Sequence, residues 1–108
     1  MASDSTLFIA PGSRCRVSYL FAKNSLDSDI AIIEGVMGVF DGFGGYSKEG
    51  STAHVSNIIK APIILVVNGE GSSLSLAALV KGFIDFDKQV VIKGIIINNI
   101  KQKIIISY

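Results

Sequence analysis

Two carboxylates stand seven residues apart in the first half of the chain: Glu34, directly after the apolar run Ile30-Ala31-Ile32-Ile33, and Asp41, directly before Gly42. A hard oxygen donor carried at the end of a buried strand can bind Mg²⁺ directly or through water, while the ion keeps several waters of its own. In open α/β sheets, ligands bind in the crevice beyond the carboxyl ends of the strands, which is where a strand ending at Ile33 would deliver Glu34. Residue types alone also admit plainer roles: Glu34 could cap the turn that follows it, and Asp41 could be a turn residue ahead of glycine. Asn98 and Asn99 follow a second apolar run and read first as a turn signal. Ser51 and Thr52 could donate to an anion at a helix N-terminus, with plain capping of that helix as the simpler role.

The remaining chemical candidates are few. Cys15 is the only cysteine and His54 the only histidine, so an intramolecular disulfide and a multi-cysteine metal site are both excluded. Cys15 lies between Arg14 and Arg16 in an expected helix. Nothing brings His54 to it, and without an activating environment it reads as an ordinary half-buried thiol. A phosphate cradle of the form G-x-x-x-x-G-K-[ST] does not occur, since Lys48, Lys60 and Lys81 do not sit in glycine-rich strand-to-helix turns.

The elements that must position these residues follow from periodicity. Val17, Leu20 and Phe21 fall on one face of a short helix over Arg16 to Asn24. A polar turn leads to a first strand, Asp29 to Ile33, apolar throughout, as a parallel strand covered on both faces should be. Gly38 to Gly50 holds five of the chain's eleven glycines and should be a mobile loop without a regular element. A helix then enters at Gly50-Ser51-Thr52, buries Val55, Ile58 and Ile59, and is stopped by Ala61-Pro62 before a second strand, Ile63 to Val67. A second loop, Asn68 to Ser73, opens a longer helix with Leu76, Val80, Phe83 and Ile84 on its buried face and Ser72 or Ser73 as caps. The third strand is Val91 to Ile97, and Ile104 to Ile106 suits a further strand. Pro11-Gly12 marks a turn near the start. Helices alternating with strands give an α/β fold with a parallel sheet and right-handed crossovers.

Composition bounds the class. With 49% hydrophobic and 18% charged residues, 108 residues make one domain, long enough to bury a core. The net charge of +1 and the scattered Lys and Arg exclude a dedicated nucleic-acid binder or anionic-membrane binder. The apolar run Ala61 to Val67 falls far short of the roughly 18 residues of a membrane-spanning helix. The polar start MASDST lacks the features of a secretory signal, so a reduced, cytoplasmic setting is the default.

Several segments in order, IEGVMGVFDG, GSTAHVSNIIKAPIILVV, SLAALVKGF and IKGIIINNI, resemble the central part of the ATP-binding domain of the cobyrinic acid a,c-diamide synthase family, within the dethiobiotin-synthetase-like P-loop group. The resemblance runs from about Tyr19 to about Ile100. It implies a three-layer, mostly parallel, Rossmann-like sheet related to the P-loop NTPases and incomplete here. Residues 1–108 would be a single partial nucleotide-binding domain, lacking the N-terminal phosphate loop and the C-terminal glutaminase domain. ATP and Mg²⁺ are the implied cofactors, with Glu34 at the metal, Glu34 and Asp41 at the activation step, and Gly35, Gly38 and Asn98 in nucleotide contact. Asn99 stands where a basic residue is usual, Asn68 where an aspartate is common, and His54 where an acidic residue often stands, and no role is assigned to His54. The implied partners are a corrin precursor and a glutaminase domain or subunit that releases ammonia, and the chain alone would be inactive. Two other readings stay open: a dethiobiotin-synthetase-like ligase, and a non-catalytic module whose unpaired sheet edge forms a homodimer.

Overall fold

The computed structural model describes residues 14–101, so the turn at Pro11-Gly12 and the strand expected over Ile104 to Ile106 lie outside the described residues. The chain divides into two compact units, one ending at Ala61 and one beginning at Pro62.

The first unit pairs two helices around a long loop. Helix α1, Arg14–Ser25, covers the expected helix and extends it by two residues at the start and one at the end. It packs against α2, Thr52–Ile59. Val17 of α1 and Ala53 of α2 are each only 1% exposed. Cys15 is exposed, a correction to the half-buried thiol expected: Val17 takes the buried face, and a residue two positions earlier points elsewhere on a helix. Helix α2 ends where the sequence requires. Lys60 adopts a left-handed conformation and returns its N–H to the Ser56 carbonyl, the Ser56 hydroxyl donates to the Ala61 carbonyl at 2.7 Å, and Pro62 follows.

The strand expected over Asp29 to Ile33 does not form. A strand persists only when a neighbour takes up its backbone N–H and C=O groups, and no strand among the described residues pairs with this stretch. Its side chains are correspondingly open, Ile32 at 85% and Val36 at 91% exposure. The Gly38 to Gly50 segment also differs from expectation: it carries a short 3-10 turn, Phe43–Gly45, and is tied by its own hydrogen bonds.

The second unit is a β-α-β arrangement. Strand β1, Ile63–Asn68, and strand β2, Ile92–Asn98, pair in parallel, joined through helix α3, Leu74–Phe86. Parallel strands require such a crossover, since a tight hairpin cannot reverse the chain twice. The strands run from Ile63 opposite Ile92 to Asn68 opposite Asn98, with one residue of β2, Lys93, left over between the first two pairs. Alternate side chains of β1 are buried, Ile63, Leu65 and Val67, along with Leu76 and Val80 of α3 and Val90. Ser73 occupies the N-cap position of α3 without a side-chain cap bond; its carbonyl instead accepts from Leu76 N–H at 3.1 Å. The α/β class and the parallel sheet expected from the alternation are both observed.

Candidate functional site

In the first unit the candidate residues lie on the loop that leads into α2. Gly38 opens a tight turn in which Asp41 N–H donates to the Gly38 carbonyl at 3.0 Å. A Cβ at Gly38 would overlap the Asp41 carboxylate, and one at Gly35 would overlap the Thr52 hydroxyl, so both glycines are set by close approach. Gly38 and Asp41 are therefore together, and Gly35 lies against the first residue of α2. Glu34 and Asp41 are both exposed, and neither carboxylate has a hydrogen bond or ion pair among the described residues. Two open carboxylates on one loop can accept from a ligand or coordinate a hard cation.

The loop is fastened to α2 at two points. Near its start, the Val39 carbonyl accepts from Ala53 N–H at 2.9 Å, and at its end Gly50 N–H donates to His54 Nδ1 at 2.9 Å. Ser51 is the N-cap of α2, only 1% exposed, and its hydroxyl oxygen accepts from His54 N–H at 3.2 Å. The donors of Ala53 and His54 are thus spent on the protein itself, which gives Ser51 the capping role rather than anion binding. Between the fastenings, Phe43 N–H donates to the Glu49 carbonyl at 2.9 Å and Ser51 N–H to the Lys48 carbonyl at 3.0 Å.

In the second unit the strand ends form a cluster of amides. Asn98 closes β2 opposite Asn68 of β1, and its carbonyl accepts from Gly69 N–H at 2.8 Å. The Asn98 Oδ1 accepts from Asn99 N–H at 2.9 Å, while Asn99, in a left-handed conformation, donates its Nδ2 to Asn68 Oδ1 at 3.2 Å. With its carbonyl oxygen engaged, the exposed Asn98 side chain presents an amide donor at the C-terminal edge of the sheet. The turn reading of Asn98-Asn99 and a ligand-facing role are compatible there.

Two features went unassigned in the sequence. His54 sits three residues after the cap, the spacing at which a capping box carries Glu or Gln, so the S-x-x-H pattern was the available signal. The Asn68 to Asn99 contact needs the strand register, which no local pattern reveals. No group of three or more His, Cys, Asp or Glu among the described residues could enclose a metal. A clear shift in acidity falls elsewhere, on Asp85 of α3: its hydrogen bond from Lys88, and then that from Lys81, hold its carboxyl at about 2, against an ordinary 3.8.

Comparison with known proteins places the sequence among curated relatives. The chain is 51% identical over 87 residues to the cobyrinate a,c-diamide synthase of Limosilactobacillus reuteri strain DSM 20016, an alignment that takes in 81% of this chain. The chain belongs to the cobyrinate a,c-diamide synthase family. The synthase of Syntrophotalea carbinolica is 44% identical over 101 residues, 91% of this chain, and the hydrogenobyrinate a,c-diamide synthase of Streptomyces coelicolor is 44% identical over 84 residues, 78% of this chain. The chain spans 19%, 22% and 17% of these three relatives in turn, about a fifth of a family member's length. No family model and no solved structure matches it. No helix among the described residues is long and apolar enough to cross a membrane.

Proposed function

We propose that this chain supplies the acidic loop and the base-contacting strand end of an ATP-dependent, glutamine-using synthetase that amidates side-chain carboxylates of a cobyrinate-type corrin. The observation that carries the reading is the 51% identity to a cobyrinate a,c-diamide synthase across a stretch containing Glu34 and Asp41, whose carboxylates are open. In this reading Glu34 holds Mg²⁺ on the nucleotide, and Asp41, fixed by the turn from Gly38, orients the carboxylate to be activated. Gly35 and Gly38 let backbone approach the nucleotide, and the Asn98 amide meets the base. ATP supplies the phosphoryl group that converts a carboxylate oxygen into a leaving group for ammonia. The loop from Gly38 to Gly50 covers that exchange and keeps water from it. The phosphate cradle and the glutaminase that releases ammonia come from outside these 108 residues, so the chain alone is inactive.

The test is a chimera in which residues 19–100 replace the matching segment of the Limosilactobacillus reuteri synthase, assayed for ATP-dependent amidation of cobyrinate. The chimera should be active, and Glu34→Ala should lower kcat/KM by about a hundredfold or more, the scale of removing an electrostatic stabiliser from a transition state. A folded but inert chimera, or full activity in Glu34→Ala, overturns the reading. A second reading, a self-associating module without catalysis, draws on the exposed apolar stretch around Ile32 and Val36. It requires a stable dimer in sedimentation that ATP does not alter.

A further inference from the structure

His54 is half-buried on α2, and its imidazole Nδ1 accepts the Gly50 N–H at 2.9 Å. No other hydrogen bond or ion pair joins the ring among the described residues. An acceptor Nδ1 carries no proton, so the ring is the neutral tautomer with its hydrogen on Nε2. Of the loop's two fastenings to α2, the one at Val39 is backbone to backbone, whereas the one at Gly50 depends on this side chain. We propose that His54 is a positioning residue that latches the C-terminal end of the Asp41 loop onto α2, and that it does so only as the neutral imidazole.

The geometry states the sign. Protonation at Nδ1 replaces an acceptor with a donor facing the Gly50 N–H, so the latch belongs to the neutral ring alone. The charged and titratable groups on the loop, on α2 and on the α1 helix that packs against α2 are Asp41, Tyr46, Lys48 and Glu49 of the loop, Lys60 at the end of α2, and Arg14, Cys15, Arg16, Tyr19 and Lys23 of α1. The bonded partner itself is an uncharged amide. Opening the latch releases the Gly50 N–H, while the backbone bonds from Ser51 to Lys48, from Phe43 to Glu49 and from Ala53 to Val39 go on holding the loop. The inference rests on hydrogen-bond geometry and stands whatever ligand the loop meets.

The test is amide hydrogen exchange on the full 108-residue chain, with each rate referred to its own unstructured value at that pH, and the ring's charge read from its Cε1 proton shift in the same samples. In the wild type, Gly50 protection should fall about tenfold as the ring becomes charged, the scale of one net hydrogen bond. The Ala53 amide should hold. His54→Gln retains a neutral acceptor and should show no such step, whereas His54→Ala should be unprotected at Gly50 at every pH. The Leu65 amide in β1 reports that each variant is folded. Gly50 protection that stays flat through the wild-type ring's titration overturns the proposal, as does the same step surviving in His54→Gln. Should His54→Gln fail to fold, the wild-type comparison decides alone.

Discussion

Replacing Ser51 by alanine isolates the cap that ties the acidic loop to α2. The hydroxyl oxygen that accepts from His54 N–H at 3.2 Å disappears, and the side chain is only 1% exposed, so water does not reach the donor left behind. Loss of an N-cap costs about 0.5–2 kcal/mol, and a buried donor without a partner pushes the cost toward the upper end. We expect about 1.5–2 kcal/mol. For a chain of this size, a urea slope of about 1–1.5 kcal/mol per molar makes that a fall of more than about 1 M in the unfolding midpoint. Urea unfolding followed by far-ultraviolet circular dichroism, where α1 and α2 both contribute, measures it. Ser51→Gly is the discriminating control, because glycine at a cap costs only a few tenths of a kcal/mol and, lacking a Cβ, leaves room at this buried site for water to reach the donor. Its midpoint should lie between those of wild type and Ser51→Ala. An alanine variant within about 0.2 M of wild type would refute the reasoning that this buried oxygen is the cap.

Two further outcomes test other parts of the molecule. Asp85 should titrate near 2 at low salt and move back toward 3.8 in about 1 M salt, which screens exposed pairs, with Lys88→Gln and Lys81→Gln each moving it in the same direction. Because folding lowers the pKa of this carboxyl, whatever the pairs contribute is present above the ordinary value and is lost as pH falls from 3.8 toward 2, readable by NMR of the carboxyl carbon. In β1, Leu65→Ala should cost about 2–5 kcal/mol and Val66→Ala about 0.5 kcal/mol or less, since the first side chain is 4% exposed and the second 60%. Equal losses in equilibrium unfolding would contradict the observed alternation.

The elements legible in the sequence were those whose own side chains decide them. The helix around Val55 to Ile59 and the strand from Ile63 carry their stop signals locally, and both appear within a residue of expectation, although the helix buries Ala53 and Ser56 and leaves the expected Val55, Ile58 and Ile59 only half-buried. Ile30 to Ile33 carries as strong a strand pattern, yet it forms no strand: its hydrophobicity describes a strand covered by neighbours, and pairing is a property of the neighbours. The site divides in the same way. Gly38 and Asp41 meet because they are three residues apart in one turn. The Asn68 to Asn99 contact spans 31 residues and exists only through the register of β1 and β2. His54 was overlooked because its role is accepting a backbone proton, which leaves no mark on composition and only a faint one on spacing.

The bond from Phe43 N–H to the Glu49 carbonyl draws the loop into a neck at which the chain enters and leaves within one hydrogen-bond length. Beyond the neck, Tyr46 is 93% exposed. Closure entropy rises by only about 0.6 kcal/mol for each doubling of loop length, so this tip can take a graft of several residues without loosening the rest. A fluorophore or a spin label inserted between Gly45 and Tyr46 would ride on the outer edge of the acidic loop while its base stays stapled to α2. The chain thus offers a built-in mounting point from which the opening and closing of that loop can be watched directly.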